Sequence, residues 1–315
     1  MPGLADRLGG LSAAGLTTFF TDTGAVEITE MIQDASDAEL TKLVADDRVR
    51  AEAVLAILRF PEFADPGRLA TIDGVVCFDL VREGSANECH TVRFSGGSVG
   101  IVPEETAKDV TIGAGILDFV RLVTGERNPA LLYLSDELRI DGDEMLALAV
   151  GTVFRVPGTK VAAVDPSTLD PVDVATAVAQ TSHRHLREVM SSGFRAIVLD
   201  EVFKRFPEFL VPEKARDLDL VVGFRIGGRP DSEPDRYVVH VDRGECRVDA
   251  SAGEGSRRDA TISIDGVDFL KLITGQLNPV KGVLTGALKV KGDRAKALGL
   301  NAVMNPPKPR ARTRH

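Results

Sequence analysis

The chain has 315 residues, 43% apolar and 27% charged, with a net charge of −9 and an isoelectric point near 5.2. This is the composition of a globular protein with length for two cores, not of a disordered or fibrous one. The acidic balance disfavours sequence-independent nucleic-acid binding, which needs a basic face, and no uncharged apolar run is long enough to span a bilayer.

In chain order, residues 1–25 read as an N-terminal leader. Leu8 to Thr21 is uncharged but rich in Gly, Ser and Thr, and no cleavage site follows it. A first folded unit is expected over 26–156. Its strand signal is Val76, Phe78 and Leu80 alternating with Cys77 and Asp79. Residues 157–171, with proline at both ends and in the middle, read as a linker. A second unit is expected over 172–305, and a basic, proline-punctuated, disordered tail over 306–315.

The second unit carries the clearer pattern. Leu186, Val189, Met190, Ile197, Leu199 and Phe203 recur near helical spacing, predicting one helix from Leu186 to Arg205, stopped by Pro207. Strict alternation at Val222, Phe224 and Ile226, at Val239 and Val241, and at Cys246 and Val248 predicts half-buried strands of antiparallel type. Asp265 should cap a short helix with Phe269, Leu272 and Ile273 on its apolar stripe, ended by Gly275. Asn278-Pro279 restarts a helix, Ala287 to Lys291 is a last strand, and Asp293 caps a terminal helix.

Residues 109–148 recur at 259–298. Sixteen of those forty positions are identical at an offset of 150, from Asp109/Asp259 to Leu148/Leu298. Upstream, Leu58 to Phe63 pairs with Lys204 to Phe209 at an offset of 146, and that offset sets Arg50 opposite Ala196. Copies of this length are domains, not solenoid units. The expected fold is α+β: two tandem two-layer domains, each a mostly antiparallel five-stranded sheet covered by helices.

The run Asp259-Ala-Thr-Ile, Asp268-Phe269-Leu270, Gly275, Asn278-Pro279 and Gly286 through Asp293 resembles the sterol carrier protein-2 (SCP2) family. The first copy keeps Asp109, Asp118-Phe119, Gly125, Asn128-Pro129 and Gly142-Asp143 but has Asp136 where Gly286 stands. The resemblance implies a sheet and helices enclosing an apolar cavity for a sterol, fatty acid or acyl-CoA, a role in lipid binding and transport, no catalytic residue, no cofactor and no metal. It also implies a second role, as a non-catalytic accessory module for a partner enzyme.

The cavity candidates are the residues on the apolar sheet face and helix stripes. In the second copy they are Val222, Phe224, Val239, Phe269, Leu272, Ile273, Leu284, Leu288 and Leu298. In the first they are Val76, Phe78, Val92, Phe119, Leu122, Val123, Leu134, Leu138 and Leu148. The same periodicity describes an ordinary packed core. The second copy, with the fuller signature, is the expected binder.

Three signals compete. Gly96-Gly97-Ser98-Val99-Gly100 matches a nucleophile elbow and would make Ser98 a hydrolase serine, yet its flanks are strands, which reads as a hairpin turn. His183 and His185 sit two apart on a helix, face different ways, and read as a solvated helix start, not metal ligands. The tail cations Lys308, Arg310, Arg312 and Arg314 could touch an anionic membrane transiently. Three cysteines without paired spacing suit a reduced, cytoplasmic setting, with Cys77 as a small buried hydrophobe.

Overall fold

A computed structural model describes residues 4–57, 64–82, 86–153, 155, 168–250 and 257–311. It divides into two compact units, 1–166 and 167–315. The LRFPEF stretch of the first copy, most of the linker and residues 312–315 lie outside the described residues.

The first unit runs α1 (Leu4–Gly9), α2 (Ala13–Asp22), α3 (Ala25–Asp34), α4 (Asp37–Ala45), α5 (Asp47–Ile57), α6 (Pro66–Leu69), β1 (Gly74–Val81), β2 (Glu88–Ser95), β3 (Ser98–Ile101), β4 (Val110–Gly115), α7 (Ile116–Val123), α8 (Pro129–Leu134), β5 (Leu138–Gly142) and α9 (Glu144–Val153). The second runs α10 (Pro171–Gln180), α11 (His183–Val189), α12 (Arg195–Arg205), a 3-10 turn (Phe206–Phe209), α13 (Pro212–Ala215), β6 (Asp219–Gly227), β7 (Asp235–Asp242), β8 (Glu245–Asp249), β9 (Ala260–Asp265), α14 (Gly266–Ile273), α15 (Pro279–Thr285), β10 (Leu288–Gly292) and α16 (Arg294–Val303).

Each unit holds one five-stranded sheet of the same topology, β3-β2-β1-β4-β5 and β8-β7-β6-β9-β10. Three of the four neighbour pairs in each are antiparallel, and the central pair is parallel, with Val76 opposite Val110 and Val222 opposite Ala260. Alternation could not reveal that parallel pair, because a strand buried on one face alternates whichever way its neighbour runs.

The duplicated block opens on a knot that both copies tie alike. Asp259 Oδ2 accepts from Val221 N at 2.8 Å, and Asp259 O accepts from Asp293 N at 2.9 Å. Asp109 does the same with Val75 N at 2.7 Å and Asp143 N at 2.9 Å. Gly142 and Gly292 cross these aspartates with φ of 109° and 93°, and a Cβ at either would come within 2.4 or 2.5 Å of the aspartate carbonyl oxygen. Asp143 and Asp293 then cap α9 and α16.

Several expectations are corrected. Within the span read as a leader, the described residues 4–25 are largely helical, and Leu8, Leu16 and Phe20 are buried with Leu40, Leu43 and Val120 in a helical cluster. The helix α7 is therefore apolar on two sides, with Phe119 on the sheet core and Val120 on that cluster. The predicted helix from Leu186 to Arg205 breaks between α11 and α12. There Ser192 Oγ donates to Val189 O at 2.8 Å and accepts from Phe194 N at 3.2 Å, local bonding that competes with the helical ladder.

The tail through residue 311 is also placed. Arg310 pairs with Asp173 at 2.9 Å and its N–H donates to Thr176 Oγ1 at 2.9 Å, which ties it to α10. Cys77 is buried as expected, but its sulfur is bonded to Cys89 on the neighbouring strand. Cys246 alone is free, so the cysteine count no longer argues for a reduced compartment.

Candidate functional site

In the first unit Val76, Phe78, Val92, Phe119 and Val123 pack in one cluster between sheet and helices, and Leu138 is buried beside β4. Leu122, Leu134 and Leu148 are half-buried. In the second unit Val222, Phe224, Val239, Phe269 and Leu288 are buried, and Leu272 and Ile273 are half-buried. Leu284 and Leu298 are on the surface, 82% and 40% exposed.

The buried candidates of the second unit belong to an aromatic stack. The Phe203 ring lies 3.8 Å from Tyr237 and 5.3 Å from Phe269, centroid to centroid, close to parallel with both. Phe224 meets Phe203 and Phe269 edge-on at 5.7 and 6.0 Å. Tyr237 OH donates to Asp200 Oδ1 at 2.8 Å, and burial with that carboxylate pushes the phenol well above its ordinary range. These rings pack on one another where α12, α14 and the strands β6 and β7 meet.

The surface pair belongs to a different feature. Val280, Val283, Leu284, Val290, Arg294 and Leu298 line an open apolar groove of about 100 Å³. Its walls follow from the local sequence. Asn278 caps α15 through Lys281 N at 3.0 Å and Pro279 fills the first turn. Val280, Val283 and Leu284 then share one face at helical spacing. Gly286, at φ 81°, ends the helix in the left-handed conformation and turns the chain into the edge strand β10. Asp293 caps α16, setting Arg294 and Leu298 one turn apart on the opposite wall.

In the first unit Asp136 takes the place of Gly286 with φ 64°, a conformation aspartate tolerates better than most residues. The matching segments differ most in charge. Residues 279–298 hold five cations and one carboxylate, net +4; residues 129–148 hold one cation and five carboxylates, net −4.

The competing signals resolve by geometry. Ser98 starts β3 directly after a two-residue turn in which Gly96 and Gly97 both have positive φ. The motif is strand-turn-strand, as expected, and lacks the helix that lifts a nucleophile. The second copy repeats the turn with Arg243 and Gly244. His183 lies beside the cations Arg187 and Lys271, at 2.9 and 3.3 Å. His185 is buried, not solvated, because it shares the inward face of α11 with Leu186 and Val189. No group of metal-ligating side chains forms among the described residues.

Periodicity missed one pair of residues, the buried arginines Arg50 and Arg195. Arg195 Nε donates to Asp235 and its other nitrogens to the carbonyls of Met190, Ile226 and Gly227. Arg50 is bonded in the same way to Glu88, Asp47 and Val44 O. Periodicity could not single out Arg195, because Arg187, Glu188, Asp200, Glu201, Lys204 and Arg205 lie in the same segment.

Two tandem α+β units, each a mixed five-stranded sheet with helices on it, define a duplicated SCP2-type protein. Residues 56–155 and 199–305 match the SCP-2 sterol transfer family. The chain belongs to that family and carries two of its domains in tandem. Among relatives, Sterol carrier protein 2 of Arabidopsis thaliana is 39% identical over 61 residues, 19% of this chain and 48% of that protein. Hydroxysteroid dehydrogenase-like protein 2 of Xenopus tropicalis is 27% identical over 106 residues, 34% of this chain and 24% of that protein. The chain thus aligns with less than half the length of either. The solution structure of the sterol carrier protein domain 2 of Helicoverpa armigera matches at 22% identity and a TM-score of 0.25, covering 37% of this chain and 80% of that one.

Proposed function

We propose that the protein is a non-catalytic carrier that takes up a sterol, fatty acid or acyl-CoA, with the second unit as the binder. Family membership supports this reading, and one observation carries it: the groove between α15, β10 and α16 presents five aliphatic side chains to a ligand. Each methylene buried there contributes about 0.8 kcal/mol, so a long chain gains strongly from contact. The groove's 100 Å³ is below the roughly 300 Å³ of a typical small-molecule site. Uptake of a whole lipid therefore requires α15 or α16 to swing outward. Displacement of a fluorescent long-chain fatty acid tests this. Competition by unlabelled fatty acid or sterol supports it, and failure of the probe to bind overturns it.

The aromatic stack favours a second reading, a packed accessory module serving an enzyme on another chain. A core filled by Phe203, Phe224, Tyr237 and Phe269 leaves its stability independent of ligand. Co-purification with one reproducible enzyme, without any lipid, would select this reading. Ser98 as a hydrolase nucleophile is the remote alternative, and loss of serine-probe labelling on Ser98→Ala is the result it requires.

A further inference from the structure

Arg225 lies on the central strand of the second sheet, directly opposite Arg236 of β7. On its other side it meets Ser263 of β9, which in turn meets Lys289 of β10. One step along the strands, Thr261 stands between Gly223 and Lys291. Alternation sets these residues on the sheet face away from Phe224, Ile262 and Leu288, which are buried. Arg225, Lys289 and Lys291 are exposed, and Thr261 and Ser263 are half-buried. None of these five side chains makes an ion pair or hydrogen bond with a described residue. Arg258 reaches the edge of the group: a Cβ at Gly223 would lie 2.9 Å from its Cδ and 3.4 Å from Thr261 Oγ1.

Sheet stability does not explain this grouping. Like charges directly opposite one another, as Arg225 and Arg236 are, destabilise a strand pair. Lysines on an edge strand guard it against pairing with other chains, which accounts for Lys289 and Lys291 but not for Arg225 on the central strand. Nor does the fold require the group. At the same register the first unit has Asp79, Gly113 and Arg139 in one row, and Thr111 and Asp141 in the next. Aspartates replace two of the three cations there, and the sheet topology is unchanged.

Three cations around two hydroxyls, with no carboxylate among them, supply the charge-assisted donors that phosphate recognition uses. The row from Arg225 to Lys289 spans two strand spacings, about 10 Å. Carboxylates bound it. Glu233 pairs with Arg236 at 3.9 Å, and Asp265 follows Ser263 by two positions and accepts from Val267 N at 3.0 Å. Asp219, Asp242 and Glu245 share a row about 20 Å along the strands from Arg225. A long polyanion laid on this face would run onto those carboxylates, whereas a compact one would not.

We infer that this face of the second unit binds the phosphoryl group of a soluble phosphate ester, held by Arg225 and Lys289 on either side of Ser263 and by Lys291 beside Thr261. The apolar groove lies on the other side of β10, at Val290, so this inference and the carrier reading fail separately.

Nuclear magnetic resonance of the full-length, isotope-labelled chain in about 0.15 M sodium chloride tests it, with inorganic phosphate and pyrophosphate as the probes. Pyrophosphate should shift the amide resonances around Arg225, Thr261, Ser263 and Lys289, saturating with a Kd of about 1 mM or tighter. Phosphate should shift the same set more weakly. The double variant Arg225→Asp/Lys291→Asp, which gives this face the residues of the first unit, should bind pyrophosphate at least about tenfold more weakly. Lys289→Gln, exposed on the edge strand where it cannot upset the fold, should weaken binding about threefold or more. The inference is overturned if pyrophosphate causes no saturable shift, if the shifts fall elsewhere, or if both variants bind as the parent does. A response to heparin or to phosphatidic acid vesicles with pyrophosphate silent would overturn it in favour of an extended anionic surface.

Discussion

Arg195 Nε donates to Asp235 at 2.7 Å, and Arg50 Nε donates to Glu88 at 2.8 Å in the other unit. Asp235 faces Ile226 across β6–β7, and Glu88 faces Leu80 across β1–β2, so the two ion pairs occupy one place in the duplicated fold. The offset between the arginines is 145, one less than the 146 that the LRFPEF match suggests.

Breaking that pair should be costly. Asp235→Ala leaves a guanidinium that is only 5% exposed without its carboxylate. A loss of about 3–5 kcal/mol is expected for the second unit in urea denaturation. Arg195→Lys should restore little, since one ammonium cannot serve Met190, Ile226, Gly227 and Asp235 together. A loss below about 1 kcal/mol on Asp235→Ala would mean the pair is not structural.

The left-handed residue after each short helix gives an opposite pair of outcomes. Asp136→Gly should stabilise the first unit by about 1 kcal/mol, and Gly286→Ala should destabilise the second by about the same amount. The second change is purely conformational, because a Cβ at Gly286 meets nothing within 4 Å. Thermal melts of the two variants check this, and shifts of equal sign would contradict it.

Acid should weaken the second unit through Asp259. The hydrogen bond from Lys296 holds this carboxyl below its ordinary value, helped by Val221 N–H. A depressed carboxylate contributes stability that is present above its unfolded pKa of about 3.9 and lost as pH falls through the lower folded value. Lys296→Met should flatten the stability profile below about pH 4. The first unit offers its own contrast, with Leu146 where Lys296 stands.

Thiol chemistry gives another direct check. With Cys77 bonded to Cys89, denatured but unreduced protein should show a single thiol, Cys246. In the native state that thiol should react slowly at neutral pH, because burial pushes it up to about 11. Three thiols in the denatured protein would refute the pairing and revive the reduced-compartment reading.

Most of the strands, the Asp265 cap and the Asn278-Pro279 restart were legible, because each is fixed by local alternation or a local cap. What stayed hidden was set at long range. The parallel β6–β9 pairing, the packing of Leu16 and Phe20 against α4 and α7, and the Arg310–Asp173 tether all join residues distant in sequence. Leu284 and Leu298 show the limit on the site. Apolar spacing on a two-turn helix cannot tell a face that meets the core from one that meets solvent.

The most direct test of the central claim is native mass spectrometry of the full chain equilibrated with a long-chain fatty acid. The expected result is a one-to-one complex that disappears in Leu284→Asp/Leu298→Asp while the parent fold is retained. Bare protein mass alone, or a complex that survives both substitutions, would contradict lipid carriage in the α15–β10–α16 groove.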